Sequence, residues 1–556
     1  MRTNAKPVLS FFLALLFVAC LVSFAAGEQA RGNGPEAADP GNRGGSVTAQ
    51  QFTDKDSWTA WYKDPRPKHG PEYHGVAVCP DGSIVAAGTD ANFNGAGNTS
   101  EMMLGKYDRD GRMLTGWPKL FSKAGMRWNE GQSVFVEANG NITVGGYMIT
   151  SGNVWYLAIW RFNSKGKPLS GWPRYMKVDN HSFGTAATVV PGGNIIACGY
   201  TDYWTGTAWN QRLLLVEYRP NGTLAWSRTY QVAPGQGTVG FDLILDSDGR
   251  IVVAGYTEKS GTNRDAVLYK LDRNGDLITG WPRVWSAGPG YDEYSSVSQD
   301  KNGDYCLVGV TQGATIGPVE DTGKLLVTRY AKGGKQLASS GWPKVYPVKG
   351  ILGYHPPDVW HGCVDPSGNI VAAMSGQSDA GVNTVKYDNG ANMAPGFPKV
   401  LNRKGYLDET HSCCTDDEGN IYVVGFSYSD TDEEGDYSTF VAKYPPEYNW
   451  YLAEGSTGAN EFGSFETWIL VQNPGDDEAE AQLYYQTPTR EVTGQKLTLK
   501  PHTRQTVNVS DFVPNEFSVS TRVDSSEPVI AERAMYWSSL AGIYRQAAHD
   551  SIGYDP

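Results

Sequence analysis

The segment Gly193-Asn-Ile-Ile-Ala-Cys-Gly199 decides the fold, because its pattern returns along most of the chain. A glycine turn leads into a run of β-branched and small apolar residues, and the run usually ends at a second glycine. Successive copies begin 51 to 65 residues apart. The seven copies are Gly82–Gly88, Gly140–Gly146, Gly193–Gly199, Gly249–Gly255, Gly303–Gly309, Gly368–Met374 and Gly419–Gly425. Repetition at one period predicts a chain built from equivalent structural units.

A second motif, Gly-Trp-Pro, recurs between these copies at 116–118, 171–173, 280–282 and 341–343, with weaker versions at 224–226 and 396–398. Each unit therefore contains four short strands joined by glycine turns, which predicts a seven-bladed β-propeller. The seventh unit lacks its fourth strand, whereas residues 57–62 resemble a spare strand before the first unit. An N-terminal strand that completes the last blade would close the ring and remove two sheet edges.

The repeat resembles the bacterial β-propeller repeat family called SBBP. Units of that family carry an acidic residue, a Val-rich strand, a Gly-Asn turn and a Val-x-Gly strand. The most similar copy in this chain is Asp408–Gly425, and the resemblance extends over about residues 56–446. The resemblance implies a secreted or surface protein and little about activity.

Residues 447–556 have no such repeat, and they contain about seven strand candidates in roughly 100 residues, which is typical of a β-sandwich. Phrases such as Trp450–Thr457 and Trp468–Pro474 resemble a module appended to secreted actinobacterial proteins. The predicted fold class is therefore all-β. A seven-bladed β-propeller closed by an N-terminal strand occupies 56–446, and a C-terminal β-sandwich module occupies 447–556.

The N-terminus has the pattern of an export signal. Arg2 and Lys6 precede the apolar run Val8–Ala26, which predicts a signal peptide over 1–27. An uncleaved anchor and a lipoprotein signal at Cys20 remain alternatives. Residues 28–55 are rich in Gly, Asn and Pro and are expected to form a disordered linker. No later run approaches the ~20 apolar residues of a membrane span, so we expect a secreted or cell-surface protein with no transmembrane segment in the mature chain.

The chain is acidic, with a net charge of −13 from 47 basic and 60 acidic residues. A nucleic-acid partner is therefore excluded, since a phosphate-binding protein needs a basic face. The expected partner is an extracellular protein or a glycan.

Histidine and carboxylate residues precede the inner strand of several units. In a propeller, equivalent positions would meet near one mouth of the central channel, where such residues could bind a metal or act as acid–base pairs. The alternative is that they cap turns and strand ends. The residues are Glu72, His74, Glu130, His181, Asp292, Glu293, Asp358, His361, Asp408, Glu409 and His411.

An acidic stretch matches part of a calcium-binding loop through Asp430, Asp432, Glu434 and Asp436. Position twelve of the loop is Val441 and not the bidentate glutamate of an EF-hand. The alternative is a solvated acidic loop. Calcium is therefore the one cofactor that the sequence suggests, and the sequence makes no cofactor certain.

Six cysteines follow Cys20. Cys363 and Cys414 occupy the same place in the sixth and seventh units, five residues before the turn glycine, so a disulfide between them is one expectation. The alternative is that all six are small buried strand residues.

The tryptophans divide into two sets. Those at one repeat position (Trp117, Trp172, Trp226, Trp281 and Trp342) are expected to pack between blades. Those outside the repeat (Trp128, Trp204, Trp209 and Trp360) are candidates for a ligand surface.

No Gly-x-Ser-x-Gly, P-loop or His-Glu-x-x-His motif occurs in the sequence, so no catalytic residue is assigned. Two functions stay open, beside a purely structural role in the cell envelope. One is non-enzymatic binding, adhesion or surface display through the polar loops 90–101, 201–211 and 427–438. The other is a polysaccharide hydrolase or lyase that uses the histidine and carboxylate residues.

Overall fold

The computed structural model describes residues 46–51, 57–93, 98–260, 263–312, 323–347, 361–376, 381–394, 396–429, 436–446, 448–461, 463–539, 545 and 547–553. For residues 46–51, 260 and 547 it describes the backbone alone. The regular structure in these ranges is almost entirely β-strand, with two 3-10 turns at Ala338–Ser340 and Val509–Asp511. None of the described segments is a helix of the length and apolarity that a membrane crossing needs. The expected signal peptide, residues 1–27, lies outside the described residues.

Seven antiparallel sheets follow one another along the first four fifths of the chain, and we number them blades 1 to 7. In blades 1 to 6 the four strands lie side by side in chain order. The strands β1 (Ser46–Gln51) and β2 (Trp58–Lys63) precede blade 1, which contains β3 (His69–Val78), β4 (Ile84–Asn92), β5 (Thr99–Tyr107) and β6 (Lys119–Phe121). Blade 2 contains β7 (Met126–Val136), β8 (Ile142–Thr150), β9 (Trp155–Phe162) and β10 (Arg174–Met176). Blade 3 contains β11 (His181–Val189), β12 (Ile195–Trp204), β13 (Trp209–Tyr218) and β14 (Leu224–Tyr230).

The remaining four blades repeat this arrangement. Their strands are β15 (Gly237–Leu245), β16 (Ile251–Ser260), β17 (Asn263–Leu271), β18 (Arg283–Trp285); β19 (Asp292–Gln299), β20 (Tyr305–Thr311), β21 (Lys324–Tyr330), β22 (Lys344–Tyr346); β23 (Gly362–Val364), β24 (Ile370–Ser375), β25 (Val382–Tyr387), β26 (Lys399–Leu401); and β27 (Leu407–Thr415), β28 (Ile421–Ser429), β29 (Asp436–Tyr444).

The N-terminal strand completes blade 7, as the sequence predicted. Strand β2 pairs antiparallel with β29, and Tyr62 lies opposite Thr439. Strands β27, β28 and β29 pack in turn against β3 of blade 1, so the seven sheets form a closed ring. The all-β propeller fold expected from the sequence is confirmed.

One segment of the expected disordered linker is a strand. Ser46–Gln51 pairs with the outer edge of β2 and adds a fifth strand to blade 7. The reason is that β2 would otherwise expose the unpaired N–H and C=O groups of an edge strand.

The second glycine of the sequence motif is explained by a β-bulge in the inner strand. The bulge falls between Tyr73 and Gly75 in blade 1, and at the equivalent place in blades 2, 3, 4, 5 and 7. It brings the carbonyl oxygen of Glu72 to within 1.9 Å of where a Cβ on Gly88 would lie, and the other five blades repeat this approach. Any side chain at that glycine would therefore collide with backbone. In the sixth copy, where Met374 replaces glycine, the bulge position lies outside the described residues.

Packing between blades uses the repeated tryptophans in three clear cases. Trp172, Trp281 and Trp342 are buried, and each ring meets a tyrosine of the following blade at a centroid distance of 6.1 to 6.3 Å. Trp226 differs, because its Nε1 donates to Glu217 of its own blade at 2.9 Å. Its sequence motif is also the weakest, since it lacks both the glycine and the proline.

The C-terminal part contains two further sheets. The first has the order β30 (Tyr448–Leu452), β36 (Ser520–Ser525), β33 (Ala479–Gln486), β34 (Glu491–Leu499); the second has β31 (Ala459–Asn460), β32 (Gly463–Gln472), β37 (Ile530–Ser539), β38 (Ala547–Ile552), with β35 (Arg504–Asn508) also paired to β32. Buried side chains of both sheets, such as Leu483 and Ile469, belong to one apolar core. Two sheets around a shared core are the arrangement of a β-sandwich.

Candidate functional site

The inner-strand bulge carries a histidine in two neighbouring blades, His74 in blade 1 and His411 in blade 7. Both side chains are buried, and their ring centroids lie 4.6 Å apart. A bulge turns two successive side chains toward the same side of the strand, so it re-aims these imidazoles toward the adjacent blade. The closure of the ring between blades 7 and 1 therefore brings together two residues far apart in sequence.

Two carboxylates stand next to His74. Its Nε2 is 3.6 Å from Oε2 of Glu72 in the same strand and 3.8 Å from Oε1 of Glu130 in blade 2. We call Glu72, His74, Glu130 and His411 the histidine–glutamate cluster. Within the described residues, neither glutamate of the cluster has a lysine or arginine partner.

Glu130 is fixed in place by neighbouring donors. Trp128 Nε1 donates to its Oε2 at 2.5 Å, and Gln132 Nε2 donates to its Oε1 at 2.6 Å. Burial raises the pKa of Glu130, and the positive charge of His74 opposes that rise. Trp128, a sequence candidate for the ligand surface, thus acts on the cluster by holding a carboxylate.

His361 lies at the edge of the same cluster, at the start of the inner strand of blade 6. Burial and the charge of His74 together lower the pKa of His361 to about 4. Because its ordinary pKa is near 6.5, His361 is neutral at physiological pH and can accept a hydrogen bond or bind a metal.

Another candidate carboxylate of blade 7, Glu409, lies two residues before His411 and is buried. Together with Glu72 it adds to the effect of burial in raising the pKa of Tyr437 above its ordinary value. A row of stacked rings continues outward from the cluster: His411 on Phe426 at 5.6 Å, Phe426 on Tyr428 at 5.8 Å, and Tyr428 on Tyr437 at 5.8 Å.

Several residues of the expected site are not in the cluster. Asp292 accepts a hydrogen bond from the backbone N–H of Ala287 at 2.7 Å, and Asp408 accepts one from that of Arg403 at 2.6 Å. Both aspartates therefore cap the loop that enters an inner strand, which is the alternative considered from the sequence.

Glu293 and His181 also have other partners. Glu293 is fully buried and accepts from Arg264 Nη1 at 2.7 Å. His181 Nδ1 accepts from the backbone N–H of Trp155 at 3.3 Å. Asp358 and Trp360 lie outside the described residues. Only some of the predicted residues therefore lie together in the cluster. The others form hydrogen bonds or ion pairs with different partners in their own blades or in a neighbouring blade.

A second charged cluster was missed by sequence analysis. The guanidinium of Arg66 binds Asp64 through Nε and Nη2 at 2.9 Å each, Asp90 through Nη2, and Glu101 through Nη1 at 2.7 Å. His69 Nδ1 lies 3.0 Å from Asp90 Oδ1. We call these five residues the arginine network. Asp64 and Arg66 lie in the connection between β2 and β3, which no periodic pattern marks, whereas His69, Asp90 and Glu101 belong to β3, β4 and β5 of blade 1.

Atoms of Asp64, His69 and Asp90 lie within 4.8 Å of one another, as metal ligands do. The cation of this group is already supplied by Arg66, however, so the network needs no metal. Burial, with the hydrogen bond and charge of Asp64, raises the pKa of Asp90 to about 9. Burial also acts on Asp64, but hydrogen bonds from Arg66 outweigh it and lower the pKa of Asp64 to about 2. The pair therefore shares one proton at neutral pH.

An exposed aromatic groove lies on blade 3, at the hairpin between β12 and β13. Trp204 and Trp209 are the last paired residues of the hairpin and remain 54 % and 47 % exposed. Their ring centroids are 5.3 Å apart in an edge-to-face arrangement. The groove is lined by Asp179, Asn180, Tyr203, Trp204, Trp209 and Arg212. We call it the tryptophan groove.

The expected disulfide between Cys363 and Cys414 is wrong in its second cysteine. Cys363 Sγ lies 3.6 Å from Sγ of Cys413, and not next to Cys414. Successive side chains of a strand point to opposite faces, so equivalent residues of neighbouring blades point the same way around the ring and cannot meet. Accordingly, Cys363 and Cys413 share the core between blades 6 and 7, whereas Cys414 packs into the core shared with blade 1.

Of the four acidic residues expected to bind calcium, the structure describes only Asp436. Asp436 accepts from Lys63 Nζ at 2.6 Å and from Tyr406 Oη at 2.6 Å. Its carboxylate is therefore engaged by protein donors. Asp430, Asp432 and Glu434 lie outside the described residues.

Comparison with protein families gives one match, over residues 247–277, to a family described as a domain of unknown function (DUF5122) β-propeller. This stretch covers the end of one hairpin turn and strands β16 and β17 of blade 4. The match supports a β-propeller and carries no activity with it. No curated protein matches the chain.

Solved structures resemble the chain weakly. A protein of unknown function from Dyadobacter fermentans has 14 % identity and a TM-score of 0.38, covering 56 % of this chain and 93 % of its own. The polysaccharide lyase Uly1 has 11 % identity and a TM-score of 0.41, with 67 % and 90 % covered. An α-L-arabinanase from Penicillium chrysogenum has 13 % identity and a TM-score of 0.36, with 74 % and 99 % covered. Likeness at this level indicates no activity.

Proposed function

We propose that this protein is an exported, non-enzymatic glycan-binding protein whose ligand site is the tryptophan groove. The observation that carries the proposal is the pair Trp204 and Trp209, two indoles that stay about half exposed at the tip of one hairpin. Large apolar side chains exposed together on a soluble protein mark a binding surface. A pyranose ring has one face of C–H groups, which packs against an indole face, and hydroxyl groups around its edge.

The polar lining of the groove suits those hydroxyl groups. Arg212 stacks on Tyr203, 3.6 Å from the ring centre, and its Nη1 lies 3.7 Å from Asp179 Oδ2. A stacked guanidinium and a nearby carboxylate offer donors and acceptors in fixed directions. Asp179 has a left-handed backbone with φ of 53°, which is uncommon for a residue with a side chain and indicates a held loop.

Hydrogen bonds within the hairpin also support a preformed site. Thr205 donates its backbone N–H to the carbonyl of Ala208 at 2.9 Å, and the Ala208 N–H donates back to Thr205 Oγ1 at 3.0 Å. The tip between the two tryptophans is therefore closed by reciprocal bonds. A ligand would lose little binding free energy in ordering it.

The net charge selects the class of glycan. At −13 the protein repels polyanions at long range, so we propose a neutral polysaccharide and not a uronic-acid polymer. Export is supported by the signal-like N-terminus and by the likeness of the repeats to SBBP units. Both bear on location, and neither bears on the ligand.

The test is affinity electrophoresis of the full chain in gels that contain neutral polysaccharides (β-glucan, galactan or mannan) or a uronic-acid polymer. We expect retardation by at least one neutral polymer. Trp204→Ala and Trp209→Ala should each weaken binding about tenfold or more, because each removes a stacking face. Phe517→Ala is the matched control, since Phe517 is an aromatic of similar exposure, 52 %, in the C-terminal module.

Two results would contradict the proposal. One is retardation by the uronic-acid polymer alone. The other is binding of a neutral polymer that Trp204→Ala and Phe517→Ala reduce equally. Circular dichroism of each variant would show whether the propeller is still folded.

A polysaccharide-acting enzyme is the second candidate, favoured by the position of His74 between Glu72 and Glu130. A histidine next to two carboxylates can transfer protons to and from a substrate. The test is the release of reducing ends or unsaturated products from the same polymers. The enzyme candidate predicts turnover that His74→Ala abolishes, whereas binding without turnover in the unmodified chain excludes it for those substrates.

A further inference from the structure

We infer that the tryptophan groove binds a vicinal diol, two hydroxyl groups on neighbouring carbons of a sugar ring, through Asp179 and Arg212. The inference rests on the proposed glycan-binding function and goes beyond it, because it determines the linkage of the polymer. The expected ligand is a neutral polysaccharide whose internal sugars are 1,4-linked or 1,6-linked. The interior of a 1,3-linked chain is excluded.

Asp179 and Arg212 stand side by side in the lining of the groove without a direct hydrogen bond. Nη1 of Arg212 lies 3.7 Å from Oδ2 of Asp179, beyond the 2.7–3.2 Å of a nitrogen–oxygen hydrogen bond. In the described part of the chain, the Asp179 carboxylate accepts from no donor and the Arg212 guanidinium donates to no acceptor. Both side chains are about one third exposed, so a ligand can reach them.

Neighbouring residues hold the two charged groups in position. Tyr203 carries the Arg212 guanidinium 3.6 Å from its ring centre, and its Oη accepts from Gln231 Nε2 at 2.9 Å. Asn180 donates its backbone N–H to the carbonyl of Asp202 at 3.1 Å, which anchors the loop that carries the carboxylate of the pair. Hydrogen-bonding groups that are held before binding discriminate between ligands by the arrangement of the ligand's own donors and acceptors.

The spacing of the pair fits two hydroxyl groups better than one. A carboxylate only accepts hydrogen bonds and a guanidinium only donates them, whereas a hydroxyl does both. One hydroxyl oxygen with bonds of about 2.8 Å to both atoms would form them at an angle of roughly 80°, well below the tetrahedral angle of about 109°. Two hydroxyls staggered at about 60° on neighbouring carbons hold their oxygens about 3 Å apart, so each can bond to one partner along nearly parallel lines.

The need for a vicinal diol determines the linkage of the polymer. In a 1,3-linked hexopyranose chain the linkage carbon separates the two free secondary hydroxyls of each ring, so no free pair lies on neighbouring carbons. Rings in 1,4-linked and 1,6-linked chains keep at least one such pair. The indoles of Trp204 and Trp209 would pack against the C–H face of the sugar while its edge meets the charged pair.

The test is affinity electrophoresis of the full chain in gels that contain a linear, soluble β-1,3-glucan, a β-1,4-galactan, a β-1,4-mannan or a 1,6-linked glucan. We expect retardation by at least one of the 1,4-linked or 1,6-linked polymers and at least tenfold weaker binding of the 1,3-glucan. Methylation of the hydroxyls of the retained polymer should abolish retardation, because it keeps the ring faces and removes the hydroxyl donors.

Two substitutions test the charged pair directly. Asp179→Asn, which suits the left-handed backbone at this position, and Arg212→Gln should each weaken binding of the retained polymer about fivefold or more. Asp110→Asn and Arg112→Gln are the matched controls, since they alter an exposed ion pair at 2.8 Å in a turn of blade 1, apart from the groove. Both controls should bind like the unmodified chain, and circular dichroism would show that each variant is folded.

The outcomes distinguish this inference from the proposed function. Equal retardation by the 1,3-glucan and by the other polymers, lost in Trp204→Ala, would support the groove as a glycan site and overturn the diol. Retardation by the 1,3-glucan alone, or unchanged affinity in Asp179→Asn and Arg212→Gln, would also overturn it. Retardation by none of the neutral polymers would overturn the proposed function and this inference with it.

Discussion

In the arginine network three carboxylates surround one guanidinium, whereas in the histidine–glutamate cluster the carboxylates face imidazoles. Arg66 contacts its partners at hydrogen-bonding distances such as 2.7 and 2.9 Å. His74 stands 3.6 and 3.8 Å from Glu72 and Glu130. The two groups therefore combine similar residue types at different spacings.

The difference separates a structural group from a group that can exchange protons. Arginine is charged at every physiological pH and forms bidentate bonds with carboxylates, so the network is complete without any ligand. Histidine carries no fixed charge, and its ring nitrogen can exchange a proton for a metal. Loss of a residue from the network should therefore lower the free energy of unfolding.

The largest expected effect is that of Arg66→Met, which removes the only guanidinium of the network. We expect the free energy of unfolding to fall by about 3 kcal/mol, because Asp64 and Glu101 would keep partly buried charge without a counterion and Asp90 would lose a hydrogen bond. Urea denaturation followed by tryptophan fluorescence measures this. Lys63→Met is the control, since its pair with Asp436 is largely exposed and worth less than about 1 kcal/mol. Equal losses in both variants would mean that the network is not structural.

A cross-link between blades 6 and 7 would sharpen the comparison, because Cys363 and Cys413 each follow a histidine of this region, His361 or His411, by two residues. With a disulfide reagent as oxidant, the two thiols lose two protons and two electrons and form one S–S bond. We expect peptide mapping to find Cys363 joined to Cys413. Reduction should then lower the free energy of unfolding by about 2 kcal/mol.

Cys414→Ser is the matched control for this cross-link. It should leave the Cys363–Cys413 peptide unchanged, whereas Cys413→Ser should remove it. A peptide that joins Cys363 to Cys414 would contradict the register of the two inner strands.

A smaller effect concerns pH. The pKa of Asp90 is raised to about 9, so the folded chain keeps a proton that the unfolded chain releases above about pH 4. This contribution to stability is complete below the unfolded pKa and is lost as the pH rises toward 9. Asp90→Asn has no such proton. Between pH 7 and 9, the unmodified chain should therefore lose roughly 1 kcal/mol relative to Asp90→Asn, after allowance for the coupling to Asp64.

Thermal denaturation of both proteins at pH 7, 8 and 9 measures the change. Parallel melting temperatures of the two proteins across the window would show that Asp90 holds no such proton.

Periodicity explains how much of the fold the sequence could predict. Six of the seven blades have a glycine opposite the inner-strand bulge, so Gly88 and its counterparts repeat along the sequence and reveal the blade count. The strand Ser46–Gln51 has no such signature, because pairing at an outer edge requires only an extended backbone. Its surroundings are rich in glycine and proline, and composition alone predicts disorder there.

The site was predictable in part for the same reason. His74 and His411 were recognised because the repeat does not require histidine at that position. The sequence does not show which partner each glutamate has, since Glu293 pairs with Arg264 of another blade whereas Glu130 faces His74. The arginine network could not be predicted from the repeat, because Asp64 and Arg66 lie in a connection that occurs only once.

Because β2 pairs with β29, blade 7 can be completed only when the two ends of the propeller segment meet. Tyr62 finds its partner Thr439 only after all seven inner strands have been made, so closure is among the most non-local contacts in the chain. Contacts of such large sequence separation form slowly, because the intervening chain must first lose its freedom. Blades 1 to 6 can each fold from local hairpins, whereas blade 7 is complete only when the N-terminal strand β2 pairs with β29. A chain that ends before β29 would keep two open sheet edges, and its ring would remain unclosed.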